Sequence, residues 1–231
     1  MSLIRKNIDY VNAQISKKCK EYERDESELT MIAVSKFQSI DAIEEARNNG
    51  INNFGENKAQ EFEQKAKTMS NGINWHFIGH LQTNKVKIVV PYAKIIHSVD
   101  SIKLVNEINK RAANIEKIQT IFLEVKTSDE ESKYGIADFE SLIGIAEHCS
   151  ILDNIKLEGL MTMAPFTEDS DIIRKSFKKL ADFKAGLNKK GFTLNHLSMG
   201  MTNDYEIAIE EGATMLRIGT AIFGERNYSL N

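Results

Sequence analysis

The sequence contains little cysteine and little proline. Its two cysteines, Cys19 and Cys149, lie far apart and neither belongs to a CxxC pair, which argues against a disulfide framework and against a zinc site. The two prolines, Pro91 and Pro165, do not lie in a low-complexity segment that would mark an interdomain linker. With 231 residues, of which 42% are hydrophobic and 27% charged, the composition predicts one globular domain spanning residues 1–231.

A basic excess and a long apolar run are also missing. The formal net charge is −3, whereas nucleic-acid-binding proteins are usually basic, so we expect no nucleic-acid partner. In residues 1–25 the apolar side chains have helical spacing, as at Ile4, Ile8, Val11 and Ile15, which predicts a helix rather than a signal peptide. No stretch approaches membrane-spanning length. These absences indicate a cytoplasmic protein without a membrane partner.

Short β-rich segments alternate with helical segments along the whole chain. The predicted strands are residues 31–36, 52–57, 73–79, 94–100, 120–126, 157–163, 195–201 and 215–223. Ser39 is the predicted N-cap of one helix, with Gly50 as its stop, and Asp100 or Ser101 begins another. Hairpin turn signals are missing between the strands, which indicates parallel pairing. The sequence therefore predicts an α/β fold, a single TIM-type (β/α)8 barrel with an extra N-terminal helix; the alternative is an open doubly wound sheet.

Polar residues cluster where the predicted strands end, which is where barrels place their active sites. They are Lys36 at the end of the first strand, Glu56 and Asn57 at the end of the second, His80 and Gln82 after the third, Asp100 at the end of the fourth, and Arg217 in the eighth. A lysine at a strand end is ordinarily a surface residue with its stem on apolar neighbours. Inside a barrel mouth, however, burial and a nearby cation would lower its pKa and free the amine to attack an aldehyde.

The last two predicted strands lead into loops whose composition suits a phosphate. These loops contain Ser198, Gly200, Thr202, Gly219 and Thr220, and loops seven and eight are the usual phosphate position in this fold. Glycine allows close backbone approach, hydroxyls donate hydrogen bonds, and a helix predicted to begin near Asn203 would direct N–H groups at an anion. Ordinary turn and capping chemistry is the alternative.

Two further side-chain patterns have structural alternatives. Arg217 could form an ion pair with Glu56 or Asp100 inside the barrel instead of binding a ligand. His76 and His80 have HxxxH spacing, but they bracket a strand-like run and lack the glutamate of HExxH, so we expect no metal site.

Seven motifs follow one another over nearly the whole chain: IAVSKF, FGENKAQE, WHFIGHLQTNK, IHSVDS, SKYG, GLMTMAP and LSMGMTNDYEIAIEEGATMLRIGTAIFGER. Together they resemble the pyridoxal phosphate homeostasis proteins, a family similar to the N-terminal barrel of alanine racemase. The resemblance implies a TIM-type barrel that binds pyridoxal 5'-phosphate (PLP) covalently, with Lys36 as the Schiff-base lysine. It also implies Asn57 near the cofactor and Arg217 beside the pyridine nitrogen. At the phosphate it implies Ser198, Thr202, Gly219 and Thr220.

The function implied by the resemblance is intracellular PLP homeostasis, meaning storage and delivery of the cofactor and an influence on amino- and keto-acid balance. Apo PLP enzymes or amino acids would be the partners. We expect a carrier rather than an enzyme, because racemisation needs a second base, which alanine racemase takes from a tyrosine of an additional domain, and this chain ends at Asn231. The same missing domain favours a monomer.

Two enzymatic alternatives stay open at this point. A PLP-dependent amino-acid racemase of low activity would use Tyr134, Tyr205 or Tyr228 as its second base. A PLP-free barrel enzyme acting on sugar phosphates would use Lys36 to form an imine, as aldolases do.

Overall fold

The computed structural model describes residues 2–69, 72–128 and 134–225. Ser132 and Lys133 of the SKYG motif, and Tyr228, lie outside these ranges. The strands are β1 (Thr30–Val34), β2 (Asn53–Glu56), β3 (Asn74–Phe77), β4 (Ala93–Val99), β5 (Gln119–Glu124), β6 (Ile155–Met161), β7 (His196–Ser198) and β8 (Met215–Ile218). The α-helices are α1 (Leu3–Glu21), α2 (Ile40–Asn48), α3 (Ala59–Thr68), α4 (Val86–Val89), α5 (Ile102–Ala113), α6 (Phe139–Ser150), α7 (Ser170–Lys189), α8 (Tyr205–Glu210) and α9 (Thr220–Phe223).

The eight strands in the described ranges form a closed parallel barrel in chain order. Closure depends on β1, which pairs with β2 on one side, Ala33 opposite Phe54, and with β8 on the other, Ala33 opposite Ile218. The prediction of a TIM-type barrel is therefore confirmed. The alternative of an open doubly wound sheet is wrong, because the first and last strands are hydrogen-bonded to each other.

Successive side chains on each strand point alternately into the barrel and toward the surrounding helices. On β1, Ile32 belongs to an inner apolar cluster, whereas Ala33 belongs to the larger core shared with the helices. The inner cluster consists of Ile32, Ile95, Phe122, Met161 and Met215. By the same alternation Arg217, two residues after Met215 on β8, lies on the inner side, where it is buried.

Helix α1 lies outside the barrel and packs against α8 and α9. Its buried face consists of Ile8, Val11, Ile15 and Cys19, the spacing of one face of an amphipathic helix. Ser2 caps the helix, since its side chain accepts a hydrogen bond from the Arg5 N–H at 3.3 Å. The predicted N-terminal helix is confirmed. No helix in the described ranges is both long and apolar enough to cross a membrane.

The predicted helix ends are confirmed where a capping side chain marks them. Ser39 begins α2, because its hydroxyl accepts from the Ala42 N–H at 3.2 Å, and Gly50 follows the helix with a φ of +94°, the left-handed conformation that glycine adopts without strain. Of the two candidates for α5, Ser101 is the N-cap; its hydroxyl accepts from the Leu104 N–H.

All eight predicted strands extend past their observed C-terminal ends, and two of these differences affect the site. The first strand ends at Val34, so Lys36 lies in the turn beyond it rather than on the strand. The eighth, predicted to residue 223, ends at Ile218. The Gly219 carbonyl then accepts from the N–H groups of residues 222 and 223 at 2.9 and 3.0 Å, which turns the chain into α9.

The helix expected near Asn203 begins at Tyr205, one residue after its N-cap Asp204. The Asp204 carboxylate does not cap α8 but accepts a hydrogen bond from the Met201 N–H at 2.5 Å. This bond closes the turn after β7, and the helix starts only once the turn is complete.

Candidate functional site

The carboxyl ends of all the strands lie at one end of the barrel, because the strands are parallel. Strand β8 lies between β7 and β1. A Cβ atom built on Gly219 would lie 3.5 Å from the carbonyl oxygen of Val34, so the segment after β8 is in contact with the end of β1. The loop after β7 is tied to α9, since the Ala221 N–H donates to Thr202 Oγ1 at 3.3 Å. The Lys36 segment and both predicted phosphate loops therefore share one rim.

Lys36 lies in the turn between β1 and α2 and is half-buried. The residue before it, Ser35, is bound on two sides: its N–H donates to the Gly55 carbonyl at 3.0 Å and its own carbonyl accepts from the Gln38 N–H at 2.9 Å. The residue after it, Phe37, has a φ of +66°, a left-handed conformation that costs a non-glycine residue roughly 1–3 kcal/mol. Lys36 is thus held between a buried residue and a strained one.

Asn57 follows β2 at the same rim and is half-buried. Its side-chain oxygen is buried and has no hydrogen-bond partner among the described residues. Its backbone packs closely against Gly79, since a Cβ atom built on Gly79 would lie only 2.1 Å from the Asn57 carbonyl oxygen. A buried polar atom without a partner is costly, so this amide is suited to a hydrogen bond with a ligand in the mouth.

Arg217 is the central charge inside the barrel. It is buried, with 4% of its surface exposed; its Nη1 donates to Ser198 Oγ at 2.7 Å and its Nη2 to the Thr162 carbonyl at 2.8 Å. Its own N–H donates to the Gly200 carbonyl at 2.9 Å. The guanidinium is consequently held by Ser198 of β7 and by Thr162, directly after β6, without any ligand.

Two histidines continue this hydrogen-bond network across the barrel. Ser198 Oγ lies 2.9 Å from His97 Nδ1, His97 Nε2 lies 2.9 Å from His76 Nδ1, and His76 Nε2 lies 3.2 Å from Asn53 Oδ1. Arginine can only donate, so Ser198 accepts from Arg217 and is free to donate to His97. At the other end the amide oxygen of Asn53 can only accept. Both ends therefore require the same tautomer, in which each histidine carries its proton on Nε2.

The charge states of these groups follow from their burial. Burial lowers the pKa of His76 to about 3 and the pKa of His97 well below its usual range, with the neighbouring histidine and Arg217 acting on His97 in the same direction. Burial also lowers the pKa of Arg217, to about 10, against the opposing effect of Asp204 and Glu124. At neutral pH the barrel interior thus contains one guanidinium and two neutral imidazoles.

The alternative considered for Arg217, an ion pair with Glu56 or Asp100, is not formed by any hydrogen bond in the part of the chain that is described. Glu56 faces the helices and accepts from Ser35 Oγ at 2.6 Å and from Lys65 Nζ at 2.8 Å. Side-chain alternation explains this, because Glu56 and the inward-facing Gly55 are consecutive residues of β2.

The carboxylates that act on Arg217 are Glu124, at the end of β5, and Asp204. Burial, reinforced by Asp100 and opposed by Arg217, raises the pKa of Glu124 to about 7. Burial also raises the pKa of Asp204. Sequence analysis did not single out Glu124, although its position at the last residue of a buried strand was a usable signal.

The five residues predicted at a phosphate do not occupy equivalent positions. Ser198 is fully buried, with Arg217 and His97 as its partners. Gly200 has a φ of +91°, and a Cβ atom there would lie 2.6 Å from Ala208 Cβ, so its glycine is required by the packing of α8. Thr202 and Gly219 are half-buried and Thr220 is exposed, so these three line the rim and Ser198 and Gly200 lie behind it.

The HxxxH pair does not act as a unit. His76 lies inside the barrel, in the network described above, whereas the ring of His80 stacks on Tyr134, with 3.8 Å between ring centroids. Within the described ranges no group of three or more histidine, cysteine, aspartate or glutamate side chains is placed to hold a metal ion.

Sequence analysis missed two charged residues of α3 that act on the Lys36 turn. Lys65 is buried, and Glu61 accepts a hydrogen bond from the Phe37 N–H at 2.6 Å. The signal was present, because Lys65 lies on the buried face of α3 with Ala59, Phe62 and Ala66, where a lysine is rare unless it is paired.

Comparisons with known proteins agree with the barrel fold. The family described as alanine racemase, N-terminal domain, matches residues 12–227. A protein named pyridoxal phosphate homeostasis protein, from Aquifex aeolicus, is 40% identical over 96% of this chain and 97% of its own length. The PipY structure from Synechococcus elongatus, with PLP bound, is 31% identical and has a TM-score of 0.85 over 96% of this chain and 100% of its own.

A crystal structure of an unknown protein from Bifidobacterium adolescentis, 34% identical, has a TM-score of 0.89 and covers 95% of this chain and 94% of its own. The full-length identity and the shared barrel agree with the motifs quoted above. The chain therefore belongs to the pyridoxal phosphate homeostasis protein family, within the broader family of the alanine racemase N-terminal domain.

Proposed function

We propose that this protein binds PLP reversibly through Lys36 and serves as a carrier in PLP homeostasis. The observation that carries the proposal is that the half-buried Lys36 and Asn57, whose buried side-chain oxygen has no partner among the described residues, follow neighbouring strands at one barrel mouth, with the buried Arg217 on the adjacent β8. The name and bound ligand of the relatives support it, since one is a PLP homeostasis protein and one contains PLP.

The residues present fit the three polar groups of PLP. PLP supplies an aldehyde that condenses with a primary amine, a phosphate, and a pyridine nitrogen. Lys36 provides the amine. On the same rim, Thr202 and Thr220 provide hydroxyl groups for the phosphate, and Gly219 allows close approach to the backbone. Ser198 and Gly200 are buried beneath these three residues and form the inner part of the proposed phosphate site. The orphaned side-chain oxygen of Asn57 is the position where a further polar contact is needed.

Arg217 is proposed to lie beside the pyridine nitrogen. With a pKa lowered only to about 10, it is still a cation at neutral pH. A fixed cation disfavours protonation of the pyridine and weakens the ring as an electron sink. This limits carbanion chemistry and suits a protein that holds the cofactor without using it.

Binding and release are proposed to be one reversible condensation. Lys36 Nζ forms a C=N bond to the aldehyde carbon, and the aldehyde oxygen leaves as water. Hydrolysis reverses the step, and the amine of an incoming amino acid can replace Lys36 in the same bond. The proposed recipients are amino acids or apo PLP enzymes in the cytoplasm, and the proposed oligomeric state is a monomer.

A low-activity racemase is the second candidate, and the two candidate tyrosines within the described ranges weigh against it. Racemisation requires a base on each face of the substrate Cα. Tyr205 is buried in α8, and burial raises its pKa to about 12, so very little of it is deprotonated and able to accept a proton at neutral pH. Tyr134 stacks on His80. Transfer of deuterium from solvent to the α-position of an amino acid separates the two candidates, because a carrier exchanges no α-protons beyond the rate of free PLP.

Reduction with borohydride tests the carrier proposal. The protein mixed with PLP should absorb in the visible range, and reduction should leave a phosphopyridoxyl group on Lys36, located by peptide mass spectrometry. Lys36→Ala should lose both signals, whereas Lys67→Ala, an exposed lysine of α3, should keep them. An adduct on another lysine, or an unmodified Lys36 in a yellow protein, overturns the proposal.

A further inference from the structure

Lys65 is a buried lysine at the centre of a charged cluster beneath the Lys36 turn. Its side chain is 7% exposed. Its Nζ donates to the Ser35 carbonyl at 2.7 Å, to Glu56 Oε1 at 2.8 Å and to Glu61 Oε1 at 2.7 Å. An ammonium has three N–H donors, so every proton of Lys65 has an acceptor.

The two carboxylates of the cluster bind the residues on either side of Lys36. Glu56 Oε1 also accepts from Ser35 Oγ at 2.6 Å, and Glu61 Oε1 also accepts from the Phe37 N–H at 2.6 Å. Residue 35 is therefore bound through its hydroxyl and its carbonyl, and residue 37 through its N–H. Lys36 is the residue between two fixed points.

Stability of the helix does not explain this arrangement. Glu61 and Lys65 have the i,i+4 spacing that stabilises helices weakly at a surface, as Glu63 and Lys67 do two residues further along the same helix at the same 2.7 Å. The inner pair differs in its lysine, whose side chain is 7% exposed against 56% for Lys67, and burying a charge costs free energy unless it is fully bonded. Glu56 is more costly still: it is fully buried, its Oε2 has no partner among the described residues, and burial raises its pKa.

The turn itself requires an external restraint. Phe37 holds its left-handed φ although its side chain is largely exposed. The Phe37 N–H donates to Glu61 Oε1 at 2.6 Å, a hydrogen bond that restrains the backbone at this strained residue. The Lys58 Nζ, 4.7 Å from the Phe37 ring centroid, adds an attraction on the solvent side.

We propose that Glu56, Lys65 and Glu61 form a clamp that fixes the backbone of residues 35–37 and so sets the position from which Lys36 reaches the cofactor aldehyde. Lys65 is a positioning residue and not a second imine-forming amine, because its three protons are donated to oxygen. The proposal rests on the proposed function of Lys36 and adds to it the group that orients this amine. A reacting atom displaced by about 1 Å can lose on the order of 100-fold in rate.

Three variants of one helix test the clamp. Glu61→Ala removes the acceptor of the Phe37 N–H, Glu61→Gln keeps an oxygen acceptor there, and Glu63→Ala removes the matched ion pair that has no contact with the turn. The rate of Schiff-base formation, followed by visible absorbance after mixing with PLP, should fall at least about tenfold in Glu61→Ala. It should stay within about twofold of the unmodified protein in Glu63→Ala and recover most of the loss in Glu61→Gln.

A second measurement needs no variant. The Phe37 amide proton should exchange slowly with deuterated water in the absence of PLP, since it is bonded to Glu61, even though its side chain is exposed. Fast exchange at Phe37, or equal rates for Glu61→Ala and Glu63→Ala, overturns the clamp. Failure of the unmodified protein to form a Lys36 adduct overturns the proposed function instead, so the two failures are distinguishable.

Discussion

The guanidinium of Arg217 donates to the hydroxyl of Ser198 over 2.7 Å, inside the barrel. This contact orients every hydrogen bond that follows it, because it leaves the Ser198 proton for His97 and the His97 proton for His76. The charge proposed to face the cofactor is thus connected to a one-directional network of neutral groups. Three predictions concern this network and the loops around it.

Ser198→Ala should destabilise the protein by about 1–3 kcal/mol. The variant leaves an N–H of Arg217 and Nδ1 of His97 buried without a partner, and unpaired buried polar groups carry their full desolvation cost. Urea unfolding followed by circular dichroism measures the loss. Ser150→Ala is the control, since the Ser150 hydroxyl also donates at 2.7 Å, to the Glu147 carbonyl, but on an exposed helix end. Equal effects of the two variants would contradict a structural role for the network.

Glu124→Gln should change how stability depends on pH. The pKa of Glu124 is about 7 in the folded protein and 4.5 for an unperturbed glutamate, so between these values the folded state binds the extra proton. The contribution of this group to stability therefore falls as pH rises from 4.5 to 7. A glutamine lacks this loss, so the stability of the variant relative to the unmodified protein should rise by on the order of 1–3 kcal/mol between pH 5 and pH 8.

Unfolding free energies at several pH values test this prediction. Glu147→Gln, at an exposed position of α6, is the control and should show a nearly constant difference. If the difference for Glu124→Gln also stays constant from pH 5 to pH 8, the carboxyl does not titrate in the folded protein as the burial argument requires.

Gly200→Ala should destabilise the protein by roughly 2 kcal/mol or more. The residue has a φ of +91°, and the added Cβ would lie 2.6 Å from Ala208 Cβ and 3.0 Å from Tyr205 Cα, so both strain and overpacking contribute. Gly144→Ala is the matched control: it lies within α6, and no atom is within 4 Å of the added Cβ. Alanine there should stabilise the helix by about 0.5–1 kcal/mol. Thermal unfolding of both variants gives the comparison, and a harmless Gly200→Ala would contradict the described turn.

The fold could be predicted from the sequence because local signals agreed with one another. Alternating short strands and capped helices required parallel pairing, and Ser39, Gly50 and Ser101 marked element ends by their own chemistry. The extent of the last strand was not predictable in this way. Residues 220–223 have strand-like composition, and only the acceptor role of the Gly219 carbonyl turns them into a helix.

The position of a candidate residue was predictable where a distinctive residue type follows or ends a strand, as at Asn57 and Arg217; the role of these residues toward a cofactor stays a prediction. The histidine network was not, because His76 and His97 lie 21 residues apart and meet only through the register of β3 and β4. The clamp was hidden for a related reason. The apolar spacing of α3 places Lys65 on the buried face of the helix, but it does not reveal that Glu56 and the Ser35 carbonyl are the partners of Lys65.

Hydrogen bonds between β1 and β8 join the two ends of the barrel, and the proposed PLP site straddles that seam, with Lys36 on one side and Gly219 on the other. During synthesis the lysine leaves the ribosome roughly 180 residues before its partner loop. A nascent chain therefore contains Lys36 long before it contains the loops proposed to bind the phosphate. Under the proposed function, stable binding of PLP would therefore require the whole barrel to have been synthesised.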